Sequence, residues 1–460
     1  MKKQLLFLIL LLLAKNPLLA SHAIGGEITA QNMGGNTYMI NAKYYRDPTS
    51  GAINAPGALE ISITDPNNNS SIVILPIAGL VVLGNMMEEY TYSAMYTFAL
   101  NGIHKLSFEE CCRTPSLSNL VNSQFYYLYM DSEVWVDSTN STPVFLNSPI
   151  THSQLNAPFI YNPLPYDADG DSLVWELDQP FEQGGIAIQG YTLPYGDPAY
   201  PFMLNTLNAE CSFLPNTLAY FTLCYRVKEY RNGIQIGYIR REMTIYAKGS
   251  SNYPALITTN SNSFPYSGKN YTITAGSNLD ITVTYVDQDG DMFDLEAIGE
   301  PFIISNNPAT YSVSNLNFTS KSININWNTV PAHDRNNPYF FCIRNADSSG
   351  TDIFKADLTF VIYINNVTGV DQLINNKLLR SVYPNPSNGS FTIEINSEKQ
   401  QLVQLELTNM IGQVVKRFPT EINSGLNLIQ VQNNKLKSGT YLLNVITDGK
   451  ISGSMPVEIE

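Results

Sequence analysis

The sequence has little charge and few of the side chains that catalysis draws on. Charged residues make up 14% of its 460 positions, and no long stretch of Ala, Glu, Lys and Leu reads as helix. It has four histidines, His22, His104, His152 and His333. None stands in an HExxH or similar array, which removes the usual metallohydrolase readings. Of the five cysteines (Cys111, Cys112, Cys211, Cys224 and Cys342) at least one must stay unpaired, and no CxxC pair is present to hold structural zinc. A basic patch is also missing. The net charge of -14 argues against nucleic acid and anionic lipid as partners and permits calcium. Beyond the N-terminus no apolar run is long enough to cross a bilayer, so no transmembrane span is expected in the mature chain.

The first residues are of another kind. Lys2 and Lys3 precede an unbroken apolar run from Leu5 to Ala14, and small residues at Ala20 and Ala23 follow. That order reads as a secretory signal peptide over 1–20, cleaved after Ala20 or Ala23. Behind it, Tyr, Phe, Ile, Val and Thr recur between Asn, Gly, Pro and Asp clusters, which is the composition of strands and turns. Tyr38, Ile40 and Ala42 alternate onto one face, and Leu59-Glu-Ile-Ser-Ile-Thr64 alternates likewise. Asn101-Gly102 between Tyr90–Leu100 and Ile103–Phe108 predicts a hairpin.

An internal repeat gives the middle of the chain its organisation. Asp167-Ala-Asp-Gly-Asp171 returns as Asp287-Gln-Asp-Gly-Asp291, and Cys224-Tyr-Arg226 returns as Cys342-Ile-Arg344. The spacings are 120 (287 − 167) and 118 (342 − 224). The expected fold is all-β: tandem Ig-like β-sandwich domains plus a small C-terminal β-sandwich. The boundaries read as an N-terminal sandwich over 21–145, repeats over 146–250 and 251–366, a linker over 367–380 and a last domain over 381–460.

Asp167, Asp169 and Asp171, with Asp287, Asp289 and Asp291, have the spacing with which carboxylates converge on a hard cation such as calcium. An EF-hand needs glutamate at the twelfth position, where these loops have Asp178 and Ile298. The alternative is a polar Asp/Gly turn without metal. Cys211 and Cys224 lie in one predicted domain and can pair. Cys111 and Cys112 are neighbours on a strand, point to opposite faces and are not expected to bridge each other. No base accompanies any cysteine, so structural roles are expected. Trp135, Trp175 and Trp327 read as sandwich core, or as sugar-stacking platforms in a glycan-binding module or hydrolase.

Val382-Tyr-Pro-Asn-Pro-Ser-Asn-Gly-Ser-Phe-Thr-Ile, Asn409-Met-Ile-Gly-Gln-Val-Val and Leu436-Lys-Ser-Gly-Thr-Tyr-Leu-Leu-Asn-Val resemble, in that order, the type A C-terminal sorting domain of type IX secretion cargo. The resemblance implies export through the outer membrane by the type IX machinery, removal of the tail, and release or lipid anchoring at the surface of a Bacteroidetes-type bacterium. It assigns the sorting signal to Pro384, Asn385, Pro386, Gly412, Gly439 and Tyr441. A basic residue near the terminus is common in the family; here Lys450 is the last one.

Residues 21–250 are similar to ectodomain segments of gliding-motility-associated surface proteins. The similarity rests on Ile24-Gly-Gly-Glu-Ile28, Tyr44-Tyr-Arg-Asp47, Cys111-Cys-Arg113, Tyr166-Asp-Ala-Asp-Gly-Asp-Ser-Leu173 and Glu229-Tyr-Arg-Asn-Gly-Ile-Gln-Ile-Gly-Tyr-Ile-Arg-Arg-Glu242. Pro48 stands where those relatives often carry the cysteine of a disulfide to Cys111 or Cys112. The expected function is therefore that of a secreted or cell-surface, non-catalytic adhesive or structural protein with an extracellular protein or glycan ligand. The alternative is a secreted glycan-binding module or hydrolase.

Overall fold

The computed structural model describes residues 23–460 apart from 49–53, 86, 138, 258–268, 351, 366–377, 410–412, 433–435, 448–449 and 460. The expected signal peptide and most of the expected linker lie outside the described residues. The chain divides into a body (to 330, with 335–364) and a tail (331–334 with 365–460).

The body begins with seven strands: β1 (Ala23–Gly34), β2 (Thr37–Arg46), β3 (Ala58–Thr64), β4 (Ser70–Gly84), β5 (Met87–Thr97), β6 (Gly102–Glu110) and β7 (Leu128–Val136). Their order in the sheet is β1-β2-β5-β4-β3-β6-β7. Alternation sets the faces. Tyr38, Ile40, Ala42 and Tyr44 of β2 and Leu59, Ile61 and Ile63 of β3 point into one core, while the residues between them stay at least partly exposed.

The hairpin expected at Asn101-Gly102 is absent, because β5 pairs with β2 and β4, and β6 with β3 and β7. Phe98 explains the difference. Its ring turns into the core against Tyr38, Tyr96 and His104, and its amide donates to the Asn36 carbonyl, so the chain crosses over at this point. The same dipeptide does make a hairpin at Asn232-Gly233. There φ is +52° and +78°, and Arg231 faces Ile234 across a two-residue turn.

The sheet continues past residue 145. Strand Ile234–Lys248 pairs along one edge with Ala219–Arg231. Its other edge takes β7 at Tyr238 and Ile239, β1 at Arg241–Met243, and His152–Gln154 beyond. Strands from either side of residue 145 thus share one hydrogen-bonded sheet.

Four of the five motifs that carry the resemblance over 21–250 meet along this seam. Gly25 and Gly26 bring β1 against the partner strand: a Cβ on Gly25 collides with the Glu242 carbonyl, and one on Gly26 comes within 2.7 Å of the Lys43 carbonyl oxygen. Glu27 pairs with Arg241 and accepts from the Tyr45 hydroxyl at 3.0 Å. Arg113 pairs with Glu242. Arg240 binds Asp131 at 2.7 Å and Asp178 at 2.8 Å. Each arginine in this buried network meets a carboxylate, which offsets much of the desolvation of both.

The second repeat is a sandwich of two four-stranded sheets, one ordered 256–257, 278–286, 320–328, 310–317 and the other 269–274, 352–365, 339–349, 292–299. Phe341 and Phe360 stack at 4.6 Å in its core, and Trp327 is 1% exposed, with its indole N–H donating to the Asn307 carbonyl at 2.9 Å. Asp357 joins the repeats. It forms two bonds with Arg344, at 2.7 and 3.0 Å, and accepts from the Asn147 side chain at 2.9 Å and the Asn162 amide at 3.0 Å.

Two cysteine expectations are corrected. Cys211 and Cys224 are both free and buried. Cys211 lies in the core lined by Phe221, Leu223, Tyr225 and Val227, whereas Cys224, the even member of that alternating run, points through the sheet toward Arg113 and Arg240. Strand periodicity therefore puts a sheet between the two sulfurs. Cys111 and Cys112 are bonded to each other. The expectation assumed strand neighbours, but β6 ends at Glu110, and the pair occupies the bend beyond it across a cis peptide bond.

The tail is a smaller sandwich. Leu379–Tyr383, Ser390–Ser397 and Gly425–Gln432 form one sheet; Val414–Ile422, Gln401–Asn409, Gly439–Thr447 and Lys450–Ile459 form the other. Phe391, Ile393, Ile395, Val403, Leu405, Leu407, Leu443 and Val445 fill the space between them from alternate positions.

Candidate functional site

Each Asp-x-Asp-Gly-Asp loop enters a strand in the same register. Glu176 of Ser172–Asp178 faces Arg226, and Glu296 of Met292–Gly299 faces Arg344. Gly170 and Gly290 have φ of +85° and +87°, a left-handed conformation that costs glycine little, and this lets the loop reverse. The first aspartate folds the loop around itself. One Asp167 oxygen accepts the Asp169 and Asp171 amides at 3.0 and 2.8 Å, and one Asp287 oxygen accepts the Asp289 amide at 3.3 Å. The middle aspartate reaches back to the segment at or just before the start of its repeat. Asp169 accepts the Ser141 amide at 2.6 Å, and Asp289 accepts the Tyr253 amide at 2.8 Å.

A fourth carboxylate, not singled out from the sequence, closes the first loop and has a counterpart beside the second. Glu229 descends from Ala219–Arg231, and its ligand atoms lie within 4.8 Å of those of Asp167 and Asp171. Asp347 of Tyr339–Ser349 holds the matching position, 118 residues on (347 − 229), and faces the charges of Asp287, Asp289 and Asp291. The signal for both was present: each lies five residues after the cysteine of its Cys-x-Arg marker (224 to 229, 342 to 347). Glu229 and Asp347 are each 0% exposed.

In both copies the second oxygen of the first aspartate and both oxygens of the fourth carboxylate are buried without a hydrogen-bond partner. Burial, with the Asp167 and Asp171 charges adding, pushes the Glu229 carboxyl up to about 9. Burial and the charges of Asp287, Asp289 and Asp291 push Asp347 up to about 8. Burial raises Asp167 to about 6. Like charges desolvated together in this way favour protons or a cation. An all-oxygen, anionic donor set suits a hard divalent ion and matches no soft-metal site. Asp178, the twelfth position of the first loop, is bound instead by Arg226 at 2.7 Å and Arg240 at 2.8 Å.

The three tryptophans are separated. Trp327 is core. Trp175 is partly buried edge-to-face on Phe340 at 5.9 Å. Trp135 is partly buried beside a cavity of about 160 Å³ shared with Asp137, Arg231, Asn232, Ile234 and Ile236.

In the tail, Asn385 bridges to the Lys450–Ile459 strand. Its side-chain amide donates to the Pro456 carbonyl at 2.9 Å, and its side-chain oxygen accepts the Glu458 amide at 2.7 Å. The Ser387 amide donates to the Glu458 carbonyl at 2.9 Å. Pro384 and Pro386 flank Asn385, each after a cis peptide bond, and all three are exposed. Gly439 opens the Gly439–Thr447 strand at φ +148°, and Tyr441 is buried with its hydroxyl donating to the Lys437 carbonyl at 2.8 Å. Gly412 lies outside the described residues.

Residues 381–455 match the family described as the secretion system C-terminal sorting domain. That tail marks the chain as type IX secretion cargo, addressed to the cell surface or extracellular space. No curated protein matches the chain. Among solved structures it is similar to the N-terminal four Ig domains of Dscam1 isoform 8.4 (8% identity, 95% of this chain and 99% of that one, TM-score 0.20). It is also similar to zebrafish RET cadherin-like domains 1 to 4 (8% identity, 94% and 97%, TM-score 0.18). The BSP domain of a biofilm-associated protein aligns at 8% identity, 96% of each chain and TM-score 0.14. At these scores the likenesses say nothing of function.

Proposed function

We propose that this chain is a non-catalytic surface protein whose sandwiches over 21–366 serve adhesion or cell-surface structure, with calcium held at the two Asp loops. The observation that carries this reading is the sorting tail, which supports a surface destination and a partnership with the type IX machinery. The body supports a load-bearing role in two ways. Strands from both the N-terminal segment and the first repeat share one continuous sheet, and Asp357 ties the next sandwich to the first repeat through buried bonds. The calcium reading rests on the three orphaned carboxylate oxygens at each loop.

Deleting residues 381–460 is expected to trap the protein in the periplasm, as measured by fractionation and surface proteolysis in the host. Undiminished surface display of the truncated chain defeats the export reading. Melting the full chain with EGTA and then with calcium tests the second element; an unchanged melting temperature counts against it.

A further inference from the structure

The two loops carry corresponding carboxylates, drawn within 4.8 Å of one another at Asp167, Asp171 and Glu229 in the first, and their surroundings differ two residues beyond the fourth carboxylate. The shared strand register makes Arg231 the counterpart of Ser349, since Tyr230 faces Ser172 in the first copy and Ser348 faces Met292 in the second. Arg231 grips Asp171 with two bonds, Nε to Oδ1 at 2.8 Å and a terminal nitrogen to Oδ2 at 2.6 Å. The same guanidinium donates to the Asn140 side-chain oxygen at 2.6 Å and lies 3.7 Å from Asp137. In the second copy, among the described residues, no lysine or arginine forms an ion pair with Asp287, Asp289, Asp291 or Asp347. Asn252, which precedes Tyr253 as Asn140 precedes Ser141, keeps its side-chain oxygen buried and unpartnered.

We propose that these are two divalent-cation sites of unequal affinity, each completed by the buried carboxylate of the returning strand, Glu229 or Asp347, with Arg231 weakening the first. This rests on the calcium reading above. In the first site a resident guanidinium already neutralises Asp171 and repels an arriving cation; Asp137 at the rim offsets only part of that repulsion. The second site presents its carboxylates without a counter-charge. A unit charge a few ångströms from a divalent ion in water-exposed surroundings shifts binding by on the order of tenfold or more. The second loop therefore fills first as calcium rises, and the first fills only at higher concentration.

Calorimetric titration of calcium into the chelator-stripped full-length chain tests this. Two binding events about tenfold or more apart are expected. Asp347→Asn should remove the tighter event and Glu229→Gln the weaker. Arg231→Ser should tighten the weaker event by about tenfold and leave the other unchanged. Because the Arg231 side chain is 29% exposed, that variant keeps the test open if a buried carboxylate variant fails to fold. Two events that persist in Glu229→Gln and Asp347→Asn overturn the ligand assignment while leaving calcium binding in place. Unchanged affinities in Arg231→Ser overturn the inequality. No binding by the wild-type chain overturns the calcium reading and this proposal with it.

Discussion

Replacing Asp357 by alanine is expected to be among the most damaging single changes in the body. The carboxylate is 3% exposed and receives four hydrogen bonds: two from Arg344, one from the Asn147 side chain and one from the Asn162 amide. Without it, the 1%-exposed Arg344 keeps, among the described residues, its bond to the Ser148 carbonyl at 3.0 Å. Removing one partner of a buried ion pair costs about 3–5 kcal/mol, and a stranded buried donor adds about 1–3 kcal/mol. These terms overlap, so the loss should be at least ~3 kcal/mol by those magnitudes. Chemical denaturation of the full chain reads it directly. The double variant Arg344→Met/Asp357→Leu should recover much of the loss, because no charge is then left buried. If Asp357→Ala costs less than ~1 kcal/mol, or the double variant is worse than the single one, Asp357 is not the tie between repeats described above.

Other expectations follow from burial and close approach. Burial lowers the His152 pKa from 6.5 to about 4. The folded state then binds this proton less readily than the unfolded state does. Its contribution is intact above pH 6.5 and drains away as pH falls toward 4, by up to ~3 kcal/mol; His152→Gln should flatten urea midpoints across that window. Gly25→Ala drives a Cβ into the Glu242 carbonyl and should cost at least about 3 kcal/mol, while Gly79→Ala, with open space around its Cβ, should be nearly neutral in the same melt. Under non-reducing conditions Cys211, Cys224 and Cys342 should resist thiol reagents in the native chain, and all three should label after denaturation; a single labelled thiol contradicts the pairing described.

Alternation made the faces of the strands legible, so Tyr38, Ile40 and Ala42 could be placed in a core from the sequence. The repeat was legible because its markers sit on paired strands whose register is the same in both copies. Pairing between distant strands was not legible. A period of two says which way a side chain points and nothing about which strand lies alongside. The sequence therefore suggested a hairpin at Asn101-Gly102, where Phe98 instead draws the chain across the core, and a Cys211–Cys224 bridge that a sheet separates. The site was half legible for the same reason. Asp167 and Asp171 are local to one turn, but Glu229 reaches them only by the fold, from 58 residues beyond Asp171 (229 − 171).

The seam between β1 and strand Ile234–Lys248 also bears on the order in which the body can form. Gly25 finds its partner Met243 only after more than two hundred further residues are available, and β7 waits on Tyr238 and Ile239. Such distant pairing is slow, because the entropy of closing a long loop is spent before any contact rewards it. While the chain threads across a membrane, β1 and β7 stand as bare edges, open to pairing with other chains until the Ile234–Lys248 hairpin arrives. The edges of β1 and β7 are therefore completed only when the end of the first repeat is present.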